Sequence, residues 1–215
     1  MKKFILWDND GVLVDTEKYY YKANKKILDE LGIKLNLDTY RQVSLNKGKS
    51  VLELARNIGL NDEQMIELRD RRDVIYEGFI FNQNLAIDGA GETLETLSVH
   101  FRMAVVTSTK RDYFEKLHVI TGFRKYFEYV IAREDYKTAK PHPEAYLLGI
   151  KNSGYSPDEI IAVEDTPRGL IAANLAGIDC IVIPNNFTRN ANFIGEKLKL
   201  NSIRDITQDL LNKLN

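Results

Sequence analysis

Cysteine is almost absent. The single Cys180 excludes an intrachain disulfide and suits a cytoplasmic chain. It sits in the apolar run Cys180-Ile181-Val182-Ile183, where a cysteine acts as a small buried hydrophobe. An excess of charge of either sign is also missing. The 30 basic and 31 acidic residues nearly cancel, so no global field draws the chain to nucleic acid or to a membrane surface. No apolar run is long enough to span a bilayer. The run after Met1-Lys2-Lys3 stops at Asp8, too short for a signal peptide. His100, His118 and His142 have no partners at metal-ligand spacing and receive no catalytic role. Internal repeats, low-complexity tracts and long linkers are lacking too. What remains is 215 residues, 44% of them hydrophobic, enough for one domain or one domain plus an insert.

The most informative stretch is Phe4 to Glu17. Phe4-Ile5-Leu6-Trp7 is continuously apolar, which predicts a strand buried on both faces. Asp8 and Asp10 follow, with Gly11 behind them. Two carboxylates so close to a buried run are costly unless a cation offsets them. Taken alone, the stretch also fits a strand ending in an ordinary Asp/Asn/Gly turn.

From Glu17 the period becomes helical. Tyr20, Ala23, Ile27 and Leu31 share one face, and Gly32 reads as the stop. A second helix is expected from Ser50, with Glu53 completing a capping-box pattern, to Gly59. A third runs over 62–79 with Met65, Leu68, Ile75 and Phe79 on one face. Beyond Asp88-Gly89, helices over 92–97, 111–120, 143–152 and 167–176 alternate with strands over 102–106, 129–131, 160–163 and 180–183. A terminal helix is expected over 203–214. The alternation predicts an α/β fold with a Rossmann-like parallel sheet core and helices on both faces. The domain reading is a core of 1–15 and 85–215 and an all-helical insert of 16–84.

Polar chemistry falls at each strand's C-terminal end, the edge where open α/β sheets bind ligands. Asp8 and Asp10 end the first strand, Thr107-Ser108-Thr109-Lys110 follow the next, Lys140-Pro141 the third and Glu164-Asp165 the fourth. Asp8, Asp10, Glu164 and Asp165 offer an all-oxygen anionic cluster, which suits Mg²⁺. Thr107 and Ser108 offer hydroxyls and backbone N–H groups to an anion, and Lys140 a point charge for phosphate. Singly, these are a helix N-cap, a solvated turn lysine and an acidic pair at a helix start. Together they form the parts of a phosphoryl-transfer site.

In this order the motifs resemble the haloacid dehalogenase-like hydrolase superfamily. The likeness is closest to its β-phosphoglucomutase-like and sugar-phosphatase branch. Asp8 to Glu17, Thr107 to Lys110, Lys140-Pro141 and Glu164-Asp165 match its four motifs, and Ala172 to Ile178 matches the branch. The resemblance implies that Asp8 is the nucleophile and Asp10 the general acid and base. It implies Mg²⁺ held by Asp8, the Asp10 carbonyl, Asp165 and, through water, Glu164. Thr107, Ser108 and Lys140 would hold the phosphate. The implied reaction is hydrolysis of a small phosphorylated metabolite, a sugar phosphate. Composition adds a cytoplasmic setting without nucleic-acid or membrane partners, and the oligomeric state stays open, with a monomer favoured.

The runner-up is a phosphosugar mutase. Mutases of the branch carry a histidine and an arginine where this chain has Tyr20 and Val51, which favours water as acceptor. A dehalogenase has no use for an acid at Asp10. A non-enzymatic phospho-receiver needs no helical insert, and an inactive homologue would not keep the complete set. Lys47 or Lys49, between the insert's helices, either touches substrate or is solvated. Trp7 and Asn9 stand where relatives have Phe and an apolar residue, and the sequence gives no reason for either.

Overall fold

The computed structural model describes residues 1–214; Asn215, the last residue of the expected core, lies outside them. One parallel sheet carries strands β1 (Phe4–Trp7), β2 (Arg102–Val106), β3 (Val130–Ile131), β4 (Ile160–Glu164), β5 (Asp179–Val182) and β6 (Leu198–Lys199). Their order is β3-β2-β1-β4-β5-β6, so β1 lies between β2 and β4. Trp7 is level with Val105 on one side and Val163 on the other. The next residues, Asp8, Val106 and Glu164, therefore stand at one height at the C-terminal edge, which brings three distant segments together.

The core helices are α4 (Ala90–Ser98), α5 (Arg111–Thr121), α6 (Glu144–Ser153), α7 (Pro167–Leu175) and the short α8 (Gln208–Asn212). One sheet face presents Ile5, Trp7, Val105 and Val163 to Leu94 and Phe114. The other presents Phe4, Leu6, Ala104 and Ala162 to Ala145, Tyr146 and Leu170. With both faces covered, β1 can be apolar at every position, as its sequence requires.

Between β1 and α4 every named element is helical: α1 (Glu17–Glu30), α2 (Leu37–Tyr40), a π-turn over Arg41–Asn46, a 3₁₀ stretch over Val51–Ile58 and α3 (Asp62–Ile80). Ile27, Leu28, Tyr40, Leu52, Met65 and Leu68 form their own cluster. A second cluster, with Ala23, Tyr76, Ile80, Tyr113 and Leu117, packs α1 and α3 against α5.

Several details differ from the sequence reading. The segment after Ser50 is 3₁₀, not α. Ser50 Oγ accepts from Leu52 N at 3.3 Å, but Glu53 turns to Arg56 and Arg69 instead of closing a capping box. In this segment a complete box is formed instead by Asn61 and Gln64 at the start of α3. The expected terminal helix is broken. A turn at Ile203–Asp205 is followed by extended Ile206, and Thr207 caps α8 afresh. Strand β6 was not foreseen; it is two residues at the sheet edge.

Candidate active site

All seven candidate residues lie at the C-terminal edge of the sheet. Lys140 is 2% exposed and joins two of the motifs. Its Nζ donates to Asp8 Oδ1 (2.7 Å), Glu164 Oε1 (2.6 Å) and the Val106 carbonyl (2.8 Å). It is a buried bridge, not a solvated turn lysine. Burial alone would push its ammonium down, but the two carboxylates overcome this and hold it above its ordinary value. Tyr146 also donates to Glu164 Oε1, at 2.6 Å.

One oxygen each from Asp8, Glu164 and Asp165 lies within 4.8 Å of the others, and all three residues are buried. Burial and the Glu164 charge push Asp8 up to about 7, despite Lys140. Burial, with Asp8 and Glu164 beside it, likewise drives Asp165 well above the usual carboxylate range. Asp165 Oδ2 accepts from Asn185 Nδ2 at 2.7 Å, while Oδ1 is buried with no partner. One lysine bridges two of the three buried carboxylates, Arg168 acts on all three from beyond ion-pair distance, and one oxygen is orphaned. This donor set fits a hard divalent cation, which would satisfy both the charge and the free lone pairs.

Gly11 makes the cluster compact. Its φ is +87°, and a Cβ there would stand 2.1 Å from Asp165 Oδ2 and 2.6 Å from Asn185 Nδ2. Asp10 is set apart from the acidic cluster. Its half-buried carboxylate accepts from Thr16 Oγ1 and Thr109 Oγ1, both at 2.5 Å, and from Thr107 Oγ1 at 3.3 Å. The four carboxylates read together from sequence thus divide into three plus one, because a fence of hydroxyls holds Asp10 toward the cavity. Thr107 is not a helix cap: its hydroxyl accepts from Thr109 N and donates to Asp10, while Lys110 precedes α5 without a side-chain cap. Ser108 Oγ is buried and has no partner.

A cavity of about 330 Å³, the scale of a small-molecule site, opens beside these groups between the helical segment and the sheet edge. Asp10, Ser108 and Arg168 line it, as do Tyr20, Lys49 and Val51 from the helical side. Of the two loop lysines, Lys49 reaches it and Lys47 does not. Gly48 seats the loop: a Cβ there would lie 2.5 Å from the Lys140 carbonyl oxygen. The sequence reading gave no role to Asn185, Tyr146, Thr16, Thr109 or Arg168, although Thr16 and Thr109 lie inside two of the quoted motifs. Outside the motifs Asn185 carried a signal, as a polar residue just beyond the apolar β5.

A parallel α/β sheet with carboxylates, a buried lysine and an unpaired hydroxyl at adjacent strand ends defines a hydrolase-type core. A family model described as haloacid dehalogenase-like hydrolase matches residues 5–183, and the chain belongs to that family. A phosphorylated carbohydrates phosphatase of Thermotoga maritima is 30% identical over 183 residues, 82% of each chain. A fructose-1-phosphate phosphatase of Escherichia coli is 30% identical over 184 residues, 82% of this chain and 94% of the relative. The crystal structure of a β-phosphoglucomutase from Clostridium difficile shares the fold, with a TM-score of 0.83 at 21% identity, covering 100% of this chain and 97% of that one.

Proposed function

We propose that the protein is a Mg²⁺-dependent phosphatase of a small phosphorylated carbohydrate, working through an aspartyl-phosphate. The observation that carries this reading is the Lys140 bridge between Asp8 and Glu164, beside the orphaned Asp165 Oδ1. Asp8, Asp165, the Asp10 carbonyl and Glu164 would hold the cation. Bound Mg²⁺ would keep Asp8 ionised and offset the charge of the phosphoryl group. That offset is needed, since two like unit charges about 4 Å apart repel by about 4 kcal/mol at an effective dielectric of 20.

Asp8 Oδ attacks phosphorus as the bond from phosphorus to the sugar oxygen breaks. Asp10 gives its proton to that oxygen. A water then attacks the phosphorus, Asp10 takes its proton, and the bond to Asp8 breaks to release phosphate. Thr16 and Thr109 aim Asp10, while Ser108 and Lys140 orient the phosphoryl oxygens. Residues 16–84 act as a cap over the cavity and exclude bulk water during transfer.

Phosphatase is favoured over mutase by two cavity residues. The Tyr20 hydroxyl is already bonded to Arg72, and Val51 is apolar, so neither supplies a second phosphate grip. The two curated phosphatase relatives support the same choice. No described helix is long and apolar enough to cross a membrane, and Cys180 is fully buried. The proposed setting is the cytoplasm, with a monomer as the acting form.

The test is phosphate release from p-nitrophenyl phosphate and a panel of sugar phosphates, with Mg²⁺ and with chelator. The expected result is metal-dependent release that Asp8→Asn abolishes. Turnover retained by folded Asp8→Asn overturns the assigned nucleophile. Isomerisation of β-glucose 1-phosphate in the presence of a bisphosphate activator would establish the mutase instead.

A further inference from the structure

One wall of the cavity carries two cations and a single carboxylate between them. Asp73, on α3, accepts from Arg72 Nε at 2.7 Å and from Lys110 Nζ at 2.7 Å. Its side chain is 14% exposed. All three residues line the cavity. Arg72 is further committed: its Nη1 donates to Tyr20 OH at 2.6 Å and Asn24 Oδ1 at 3.2 Å, and its guanidinium lies over the Tyr20 ring. For both cations Asp73 is the only carboxylate within 4.0 Å among the described residues.

An arginine and a lysine in a cavity ordinarily make a phosphate grip. Here that grip is filled by the protein's own carboxylate. A second phosphate on the substrate would have to displace Asp73 and would then face its charge. A neutral sugar hydroxyl meets no such barrier and can donate to the same carboxylate. Among the described residues, no other cavity cation lies within 4.0 Å of Asp73. Arg168 and Lys49 flank the Gly48 seat on Lys140, and the carboxylates acting on Arg168 are Glu17, Asp8, Glu164 and Asp165. Arg133 donates to the Tyr136 carbonyl at 2.8 Å and lies over its ring.

We propose that Asp73 is a specificity-determining residue that restricts the enzyme to phosphorylated sugars with an uncharged far end. By filling the Arg72–Lys110 grip, it excludes bisphosphates. This rests on the phosphatase reading and goes beyond it by naming the substrate subclass and the residue that selects it. Rejection arises from an introduced repulsion as much as from a missing attraction.

The experiment compares kcat/KM for fructose 1-phosphate and fructose 1,6-bisphosphate, with p-nitrophenyl phosphate as a probe lacking the sugar. Wild type is expected to favour the monophosphate by about tenfold or more, since like charges placed together across an interface are strongly disfavoured. Asp73→Asn should raise the bisphosphate-to-monophosphate ratio by about tenfold. Adding Lys110→Ala should cancel that gain, because Lys110 is the cation set free. Equal use of both sugars by wild type overturns the proposal. So does an unchanged ratio in Asp73→Asn, a gain that survives Lys110→Ala, or uniform loss on all three substrates in a folded variant.

Dissociation constants for the two sugars, measured on Mg²⁺-loaded protein carrying Asp8→Asn with and without Asp73→Asn, read the same ratio without turnover. An enzyme inactive on every phosphomonoester would refute the phosphatase reading, while these constants would still decide the role of Asp73.

Discussion

Asn9 Oδ1 lies 2.8 Å from His118 Nε2, joining the segment between the two site aspartates to α5. His118 is buried, and its Nδ1 lies 2.8 Å from Thr121 Oγ1. The network assigns the tautomer: Nε2–H donates to Asn9 and Nδ1 accepts from Thr121. The other end of Asn9, Nδ2, is 3.3 Å from Asp10 Oδ2. An amide where relatives carry an apolar side chain thus has a structural reason, and so does one of the three histidines. Trp7 finds its own: the indole N–H lies 3.3 Å from Met103 Sδ.

His118→Phe should leave Asn9 Oδ1 buried without a donor, at a cost of about 1–3 kcal/mol near neutral pH. The cost should shrink in acid. Burial lowers the imidazole from 6.5 to about 4 in the folded protein. Between those values the unfolded chain takes up a proton that the folded chain refuses, so stability falls as pH falls, by up to about 3 kcal/mol. Urea titrations of both proteins at pH 7.5 and pH 5 check this. The gap between them should narrow at the lower pH.

Lys140→Met should uncover a buried pair of acids. Asp8 and Glu164 lose their shared donor, and breaking a buried ion pair from one side costs about 3–5 kcal/mol. A divalent cation should restore part of the loss by neutralising Asp8. Thermal melts with Mg²⁺ and with chelator should therefore differ more for the variant than for wild type.

Metal binding should register as stability. At a free concentration about 100 times Kd, Mg²⁺ should add about 2.7 kcal/mol to wild type. Asp165→Asn should lose most of that gain. Asp10→Asn keeps its backbone carbonyl and should keep the gain, while turnover falls by about 10²–10⁴-fold with the loss of the acid. Calorimetry with Mg²⁺ beside a phosphate-release assay separates the two effects.

Gly11→Ala should disable the cation site out of proportion to the atoms added. The new methyl meets Asp165 Oδ2 at 2.1 Å, and the left-handed backbone adds about 1–2 kcal/mol of strain. The Mg²⁺-dependent rise in melting temperature should vanish, while the far-UV circular dichroism spectrum stays native.

The strands of the core and the four strand-end motifs were legible because continuous apolar runs mark strands covered on both faces, and polar residues at their ends stand out. Strand β6 was not, since Leu198 and Lys199 add only two residues at an edge. The 3₁₀ form of Val51–Ile58 was hidden, because an apolar spacing does not distinguish a tight helix from an α-helix. The restart at Thr207 was missed for a related reason: Ile203, Ile206 and Leu211 keep a helical rhythm across an extended link. Pairings such as Asn9 with His118, or Asp73 with Lys110, join residues far apart in sequence. No local pattern announces them.

The Gly48 seat bears on more than closure. The loop meets the Lys140 segment at a main-chain carbonyl, through a residue with no side chain. Fit between the helical segment and the sheet edge is thus anchored by backbone at this point, while Lys49 and Val51 beside it face the cavity. Lys49, which belongs to no core cluster, can be exchanged without unseating the loop, whereas Val51 also packs in the core of the helical segment. New substrates become accessible by drift in the helical segment, while the chemistry beneath it stays the same.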